Sequence, residues 1–417
     1  MSRPDPTAVA VNRPGPSAVI VNRRPILGEL ATWLDGVDRP VTVLTCVSSA
    51  VDEQALARLR RRAEVRLLDD YDGAATEELI ERVCRTTRAG VLISTTEADV
   101  LRCARIRHRC GIAGQSPASA TAYRDKSVMK EHLRAAGLPT ARMARADDRA
   151  AIAALLHDRG FPLVVKPARG VASKNTHVVR DTAHLDRVLA GLADPAGVIV
   201  EEFVHGDMWH VDGLMDDGAV VQCWPSRYLH PQWETMYHSK PNLSAMLPAG
   251  DPVGAALVRS VRAVVAALPA APGRHPFHAE FFATAPDEPV LCEIACRAGG
   301  AGIVEAYERA FGVNLYGAAV TGQLGVPVAA LAAVPEMPHG WGWFPPRAGV
   351  LTALPSSCPI PGVVAYRALA GPGQHLSSPG AVTDAVVEVC FRADPGTPVT
   401  TRLADFDAWW AREARWS

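Results

Sequence analysis

The sequence lacks an excess of charge of either sign and has no long apolar run. Its 417 residues carry a formal net charge of −1, whereas nucleic-acid-binding domains are strongly basic, so we expect no nucleic-acid partner. Apolar residues nowhere continue for the length needed to cross a bilayer, so no membrane span is predicted. The N-terminal residues also lack the apolar core of a signal peptide, which favours a cytoplasmic protein.

Closely spaced cysteine pairs are also missing. Nine cysteines occur without a CxxC motif, and this odd number favours reduced thiols over disulfides. A metal site at Cys292 and Cys296 is the alternative, although we expect both side chains to point away from the site that the neighbouring motifs indicate. No GxGxxG motif follows the first predicted strand, which leaves a dinucleotide-binding fold without support.

The composition that is present is that of a globular protein, with 48% hydrophobic and 21% charged residues. A chain of 417 residues suggests two or three structural units. Strand-like and helix-like segments alternate in the first part of the chain, from Ala18–Arg24 through the β-branched run Val41–Cys46 to Gly90–Ser94. This βαβ pattern predicts an α/β fold with a parallel sheet covered by helices.

A duplication near the N-terminus sets the first boundary. The segment Ala8–Pro14 is repeated as Ala18–Arg24, and only the second copy leads into an amphipathic helix, Ile26–Leu34. We therefore predict a mobile tail over residues 1–17 and a first domain over residues 18–120, with strands in both copies as the alternative.

The rest of the chain divides into a second predicted unit over residues 121–335 and a third, rich in proline and glycine, over residues 336–417. Within the second unit, residues 226–248 are predicted to form a long irregular loop rich in aromatic and polar side chains. A loop of that length inside a compact domain is usually functional.

Two acidic residues in adjoining strand-like segments give the strongest local signal. If the turn centres on Pro286-Asp287, Glu280 lies directly opposite Glu293, with the Cβ atoms roughly 4.5–5.5 Å apart. Like charges at that distance are destabilising unless a cation lies between them, and hard oxygen ligands prefer Mg²⁺. We therefore predict a magnesium site. The alternative is a solvent-facing hairpin with acidic residues placed by chance.

Residues on the same strand faces extend this site. His278 shares a face with Glu280, and Arg297 shares a face with Glu293, where its guanidinium suits a carboxylate or a phosphoryl oxygen. Gly299 and Gly300 then precede a helix that starts at Ile303, and backbone N–H groups at such a position favour an anion. An ordinary loop at the start of a helix is the alternative.

Two further strand ends carry polar groups. Lys166 ends an apolar strand, where burial is costly unless the ammonium meets an anion, and the loop with Gly170 and Ser173 offers backbone donors to phosphates. A lysine whose ammonium merely reaches solvent is the alternative. The run Glu201-Glu202-Phe203-Val204 ends another strand, where backbone groups can hydrogen-bond the edge of an adenine.

Taken in this order, the segments resemble the ATP-grasp superfamily from about residue 18 to the C-terminus. Tyr123-Arg124-Asp125-Lys126 is similar to the first nucleotide lysine of that family. Val164-Val165-Lys166-Pro167 with Gly170 and Ser173 is similar to its second lysine and phosphate loop, and Glu201-Glu202-Phe203-Val204 to its adenine hinge. Glu280 and Glu293 match its metal carboxylates and Arg297 the arginine that follows them.

The resemblance implies an ATP-grasp fold with an N-terminal pre-ATP-grasp domain over 18–120, an ATP-grasp domain over 121–335 with a mobile lid at about 137–203, and a biotin-carboxylase-like lobe over 336–417. The segments Gly206–Gly213 and Glu293–Gly300 look most like the bacterial L-amino acid ligase, or dipeptide synthetase, branch.

Two positions depart from the family pattern. Ala295 replaces an asparagine that often serves as an additional metal ligand. An acidic residue that often binds the ribose near Met208 is also missing, so the resemblance gives that role to His210 or Asp212.

The function implied by the resemblance is an ATP-dependent ligase that joins a carboxylic acid to an amine through an acyl phosphate and releases ADP and phosphate. Lys126 and Lys166 would hold the phosphates, Glu280 and Glu293 the Mg²⁺ (or Mn²⁺), and Arg297 the developing oxyanion. His278, His210 and His275 are candidates for the general base. The partners implied are an amino acid or peptide as acid and amine, and a second copy in a homodimer. Residues predicted to contact these substrates are Trp209, Tyr228, His275, Gly299, Gly300 and Ile303.

Other functions remain open at this point. A group of aromatic residues with one histidine lines the acceptor or acyl pocket or only packs the long loop: Trp209, Tyr228, Trp233, Tyr237 and His238. Ligation of an amino acid to a carrier-protein thiol would be favoured by a basic docking patch, which the sequence does not show. A nucleotide-binding regulator without turnover would have lost a metal carboxylate or the arginine, and a biotin-dependent carboxylase would carry a Met-Lys-Met segment; neither feature is found.

Overall fold

The computed structural model describes residues 16–283, 285, 287–327, 330–394 and 396–417. The first copy of the duplication and nearly all of the predicted tail lie outside these residues. The chain divides into two compact units. The first contains the residues up to Gly114 and Val320–Pro327, and the second contains Gln115–Ala319 and the residues from 328 onwards. The finer division of the second unit into an ATP-grasp domain, a lid and a C-terminal lobe stays a prediction.

The first unit is built on a parallel sheet. Its strands are β1 (Ser17–Asn22), β2 (Val41–Cys46), β3 (Glu64–Leu68) and β4 (Ala89–Ser94), in the order β3-β2-β1-β4. Its helices are α1 (Leu27–Trp33), α2 (Glu53–Arg60), α3 (Ala74–Thr87) and α4 (Glu97–Cys110), and a short 3₁₀ turn spans Val47–Ser49. The predicted parallel α/β arrangement is confirmed.

The central strand β1 explains why this part of the sequence is apolar without a break. Ala18 and Ile20 pack in one apolar cluster of the unit, whereas Val19 and Val21 pack in another. A parallel strand buried on both faces needs apolar residues at every position rather than at alternate ones.

The second unit begins with four helices and a small antiparallel sheet. The helices are α5 (Pro117–Ala122), α6 (Lys126–Ala135), α7 (Arg149–Arg159) and α8 (Thr182–Ala190), with a 3₁₀ turn at Pro195–Gly197. The strands are β5 (Met143–Arg145), β6 (Leu163–Pro167), β7 (His177–Val179) and β8 (Val198–Glu202), in the order β5-β8-β6-β7. Apolar residues of α7 and α8 form its core with Leu163, Val165 and Val200.

A larger antiparallel sheet follows, in the order β13-β12-β9-β10-β11-β14-β18-β16. Its strands are β9 (Asp207–Asp216), β10 (Ala219–Tyr228), β11 (Asn242–Met246), β12 (Arg274–Ala283), β13 (Pro289–Ala295), β14 (His339–Phe344), β16 (Val363–Ala368) and β18 (Val387–Arg392). A smaller sheet in the order β17-β15-β19 contains β15 (Gly349–Ala353), β17 (His375–Leu376) and β19 (Arg415–Trp416). The remaining helices are α9 (Gln232–His238), α10 (Pro252–Ala267), α11 (Ile303–Phe311), α12 (Leu315–Gln323) and α13 (Val399–Glu413).

The prediction of a long irregular loop over residues 226–248 was wrong. The end of β10, helix α9 and strand β11 occupy this segment. Strand β11 pairs with β10 and β14 and is buried along its whole length. Pairing with β14, which lies far along the chain, gives this strand its partner, and a local sequence window does not contain that information.

Candidate active site

The N-terminus of α6 brings the first predicted lysine to the site. Asp125 caps the helix by accepting a hydrogen bond of 3.1 Å from the Ser127 amide, and Lys126 is the first helical residue. The Nζ atom of Lys126 lies 2.5 Å from Oε2 of Glu293 and donates to the Gly170 carbonyl at 3.2 Å. The first lysine, the loop after β6 and the second acidic residue therefore meet at one point.

The second lysine ends β6 as predicted, and its ammonium is buried. Lys166 Nζ lies 2.7 Å from Oε2 of Glu201, on the neighbouring strand β8. Burial opposes the charge, but the Cys292 sulfur and the Glu201 carboxylate outweigh it and hold the pKa of Lys166 above its ordinary value. The ammonium therefore stays charged and available to an anion.

The loop after Lys166 has an unusual backbone. Ala172, Ser173 and Asn175 all have positive φ angles of 53–55°, a region that residues with a side chain rarely adopt. Gly170 packs tightly, because a Cβ there would lie 3.2 Å from the Pro167 carbonyl oxygen. Strained loops of this kind are concentrated at ligand sites, which agrees with the predicted phosphate loop.

The two acidic residues face each other across β12 and β13. Glu280 pairs with Glu293 in the strand register, so the predicted opposition is confirmed. A bulge follows this pair, since Phe281 is already opposite Leu291. The bulge turns Cys292 toward the cavity together with Glu293, and Cys292 Sγ lies 3.9 Å from Lys166 Nζ. The expectation that Cys292 points away was therefore wrong, whereas Cys296 packs in the apolar core as expected.

The carboxylates of Glu280 and Glu293 both have partners, hydrogen-bond donors at Glu280 and a cation at Glu293. Burial alone would raise the pKa of Glu293, but the Lys126 ammonium, with Lys166 and Arg297 nearby, lowers it to about 2. Glu280 accepts hydrogen bonds from Tyr228 Oη at 3.2 Å and from the His278 ring at 3.3 Å. Glu293 is thus ionised at neutral pH, as a carboxylate ligand of a divalent cation has to be.

His278 belongs to a buried chain of polar side chains. Its Nδ1 atom lies 2.9 Å from Asp212 Oδ1, and the other Asp212 oxygen lies 2.5 Å from His210 Nδ1. His210 Nε2 in turn lies 2.6 Å from Ser244 Oγ. Burial opposes protonation of His278, but Asp212 and Glu280 raise its pKa to about 9. His278 is therefore a protonated donor at neutral pH, and a general-base role does not suit it.

This row of hydrogen-bonded side chains argues against the predicted contacts of His210 and Asp212 with the ribose. His210 and Asp212 line a second, smaller cavity together with Ile303 and Trp341, rather than the main one. Their polar atoms are already used by each other and by His278 and Ser244. The ligand atoms of His210, Asp212 and His278 lie within 4.8 Å of one another, a spacing that also suits a metal ion, but hydrogen bonds connect all three.

One cavity of about 250 Å³ collects most of the predicted nucleotide and metal residues. These are Lys126, Lys166, Gly170, Ser173, Glu201, Glu202, Phe203, Val204, Glu280 and Glu293. The Glu202 side chain points elsewhere, because its carboxylate accepts from the Arg142 amide and pairs with Arg159. At Glu202 the main chain is therefore the part that can face a ligand.

Two lining residues were missed from the sequence. Phe282 and Met208 line the cavity from the large sheet, and period-two alternation along β9 and β12 would have found them. Trp233, which the sequence analysis named as a possible pocket residue, lines the same cavity from α9. The Trp233 ring contacts the Phe203 ring edge-on at 6.2 Å, and Tyr237 donates to the Thr176 carbonyl across the end of the phosphate loop.

Two of the predicted substrate residues face the wrong way. Trp209 and His275 occupy odd-numbered positions of β9 and β12, the positions that carry Val211 and Phe277 into the apolar core. His275 Nε2 lies 2.9 Å from the Pro272 carbonyl, and Trp209 packs in the core under the Arg227 guanidinium. Neither side chain can contact a substrate on the opposite face of the sheet.

Of the other predicted substrate residues, Tyr228 contacts a predicted metal carboxylate, whereas Ile303 lines the second, smaller cavity. Tyr228 binds Glu280, and Arg297 donates to the Ala298 carbonyl at 2.9 Å beside the loop that holds Gly299 and Gly300. A Cβ at Gly299 would lie 2.5 Å from the Ile303 side chain and 2.9 Å from Asp212 Oδ1, so a larger residue does not fit. Contact of these residues with a substrate stays a prediction.

Comparisons with known proteins indicate the class of fold. Residues 131–306 match the ATP-grasp domain family, and this part of the chain has an ATP-grasp fold. The crystal structure of an L-amino acid ligase from Bacillus licheniformis superposes with a TM-score of 0.72 over 97% of this chain and 99% of that one, at 14% identity. The biotin carboxylase domain of the Hydrogenobacter thermophilus 2-oxoglutarate carboxylase, solved with MgADP, gives a TM-score of 0.66 over 96% and 90%, at 13% identity.

Sequence similarity also links the chain to a curated amino acid ligase. An L-arginine-specific L-amino acid ligase of Bacillus subtilis is 28% identical over 260 residues, which cover 60% of this chain and 62% of that protein. The match thus spans less than two thirds of the curated relative. The predicted resemblance to the ATP-grasp superfamily, and within it to the L-amino acid ligases, is confirmed, as is the predicted fold class.

The helices of the described residues include none that is both long enough and apolar enough to span a membrane.

Proposed function

We propose that the protein is an ATP-dependent carboxylate–amine ligase that joins an amino acid to a second amino acid or peptide and releases ADP and phosphate. The observation that carries the proposal is the pair Glu280 and Glu293, opposed across β12 and β13 in a cavity that Lys126 and Lys166 also line. The name of the Bacillus subtilis relative supports amino acids as substrates.

The residues present fit a magnesium nucleotide. Glu280 and Glu293 offer hard oxygen ligands, and Lys126 now provides the positive charge beside Glu293 that a divalent cation would also provide. Bound Mg²⁺ would neutralise charge on the transferred phosphoryl group. Lys126, Lys166 and the main chain of the loop after β6 would hold the phosphates, while the main chain of residues 201–204 would face the adenine.

The acid and the amine would be held beside the carboxylates. Arg297 lies two residues after the end of β13, where its guanidinium would orient the carboxylate that attacks the γ-phosphate. The resulting acyl phosphate carries an electrophilic carbonyl, and attack by the amine expels phosphate and forms the amide. Loss of a donor that stabilises the tetrahedral oxyanion typically costs about 10²–10³ in rate, which sets the scale expected for Arg297.

Exclusion of water is necessary because an acyl phosphate hydrolyses readily. Trp233 and Tyr237 of α9 contact Phe203 and the chain after the phosphate loop, so this helix covers one side of the cavity. We infer that α9 limits access of water during turnover.

The test is a screen of amino-acid pairs with ATP and Mg²⁺. Phosphate release is measured for each pair, and products are identified by mass spectrometry. A pair that yields phosphate and the mass of a dipeptide in equal amounts supports the proposal, with Glu293→Gln as the inactive control. Stoichiometric transfer to a carrier-protein thiol, or binding of ATP without turnover on any pair, would contradict it.

A further inference from the structure

A third lysine lies behind the nucleotide cavity and has no place in the function described so far. Lys130 is one helical turn after Lys126 on α6 and has 0% exposure. A lysine is almost never fully buried unless it is paired. Its Nζ atom lies 3.2 Å from Glu201 Oε1, while Lys166 Nζ lies 2.7 Å from the other oxygen of the same carboxylate.

The Glu201 carboxylate is therefore shared between two ammonium groups. Glu201 is 3% exposed, and although burial opposes its ionisation, Lys130 and Lys166 hold its pKa below the ordinary value. Burial lowers the pKa of Lys130, against the attraction of Glu201. With two lysine side chains at its two oxygens, the Glu201 carboxylate does not pair with Lys166 alone.

Other contacts fix the position of Lys130. Its ammonium donates to Thr140 Oγ1 at 3.1 Å, and Thr140 donates to the Leu291 carbonyl at 3.3 Å. Leu291 lies on β13, directly before Cys292 and Glu293. Lys130 thus contacts both the small sheet, through Glu201, and the chain that carries the second acidic residue.

We propose that Lys130 is a positioning residue for nucleotide binding, which holds Glu201 so that this carboxylate does not sequester Lys166 from the phosphates of ATP. Lys130, Glu201 and Lys166 form a row of ion pairs with the carboxylate in the middle. Without Lys130, the Lys166 ammonium is the one cation left beside Glu201 in this row, and Lys166 and Glu201 pair more tightly. Binding of ATP then has to break that pair. The inference rests on the proposed function only in taking ATP as the ligand of the cavity.

A purely structural ion pair would behave differently. In that case removal of Lys130 would lower stability, and removal of Glu201 in addition would leave nucleotide affinity unchanged from the single variant. If Lys130 acts through Glu201, the second substitution releases Lys166 and restores the net charge of the group. Coupling between directly contacting residues is typically about 0.5–3 kcal/mol, which corresponds to about a 2- to 150-fold change in affinity.

The experiment measures Mg²⁺–ATP affinity by calorimetry on the full chain. We expect Lys130→Met to weaken binding about tenfold and Lys130→Met combined with Glu201→Gln to return to within about threefold of the unaltered protein. Lys130→Arg keeps the charge and should bind as the unaltered protein does. Arg134→Met removes an exposed cation from the same helix and is the matched control, with no change expected.

Thermal unfolding of each variant shows whether it is folded. If Lys130→Met alone does not fold, Lys130→Gln takes its place in the same comparison. Unchanged affinity in the single variant, or a double variant as weak as the single one, would overturn the inference while leaving the proposed function intact. No ATP binding by the unaltered protein would refute the proposed function itself.

Discussion

Strands β9 and β12 carry apolar side chains on one face of the large sheet and a row of polar side chains on the other face. One face carries Val211, Phe277 and Phe281 into a core with 0–1% exposure. The other carries the buried polar chain from His210 through His278 to Glu280. Neighbouring residues along one strand therefore serve opposite purposes, the odd-numbered ones stability and the even-numbered ones the site.

The comparison shows how an enzyme-like site can be buried at low cost to the fold. The apolar face removes hydrocarbon from water, a gain of about 25 cal/mol per Å². The polar face is tolerable only because nearly every group has a partner, as burial of an unpaired charge is expensive. Substitutions on the two faces should separate activity from stability.

The largest separation is expected on the site face. Glu280→Ala and Glu293→Ala each remove one of the opposed carboxylates, so we expect ADP release to fall at least about 10³-fold, as the cation would lose a ligand. The far-ultraviolet circular dichroism spectrum should remain that of the folded protein. Turnover at the unaltered rate in either variant would refute the metal assignment.

The opposite result is expected on the core face. Phe277→Ala leaves a cavity in the apolar core and should lower the free energy of unfolding by about 3–5 kcal/mol, with the KM for ATP unchanged. Phe282→Ala is the matched substitution on the cavity face, with a smaller loss of stability expected because that ring is only half-buried. Urea denaturation measures both, and equal losses would show that the two faces are not distinct.

A smaller effect is expected from pH. The pKa of His278 is raised to about 9, so its stabilising contribution is complete below the ordinary histidine value of about 6.5 and is lost as the pH rises through 9. Between pH 7 and 9 the free energy of unfolding should fall by about 2 kcal/mol more for the unaltered protein than for His278→Gln. Parallel curves for the two proteins would rule out the raised pKa.

The smallest effect is expected at Lys166, near the end of strand β6 in the small antiparallel sheet of the second unit. Lys166→Ala removes one phosphate contact, and we expect the KM for ATP to rise about tenfold or more, the cost of losing a charge-assisted hydrogen bond. Steady-state kinetics with ATP varied would measure this change. An unaltered KM would show that the loop after β6 does not bind phosphate.

Parts of the site followed from the sequence because they depend on local alternation. The opposition of Glu280 and Glu293 required only two strands and a short turn, and both were readable from apolar residues at alternate positions. Lys166 was readable because a lysine closing an apolar strand is unusual. The parallel sheet of the first unit followed from uninterrupted apolar strands separated by helices.

Other parts required contacts between distant segments. Cys292 faces the cavity because of a bulge, and a register shift of one residue reverses the direction of every side chain beyond it. Trp209 and His275 were misplaced because their strands were judged by residue type rather than by position in the alternation. Strand β11 looked like part of a loop because one of its two partners, β14, lies far along the chain, and α9 did so because Trp233 and Tyr237 contact earlier segments at Phe203 and Thr176.

The sequence by itself determined the parallel sheet of the first unit and the opposition of Glu280 and Glu293, since periodicity and spacing are local properties. Only the tertiary structure decided which charges share a partner. Lys130 and Lys166 are 36 positions apart in the numbering yet meet at one carboxylate, because two strands and a helix bring them there. Electrostatic energy depends on distance in space and on burial, and neither can be read from separation along the chain.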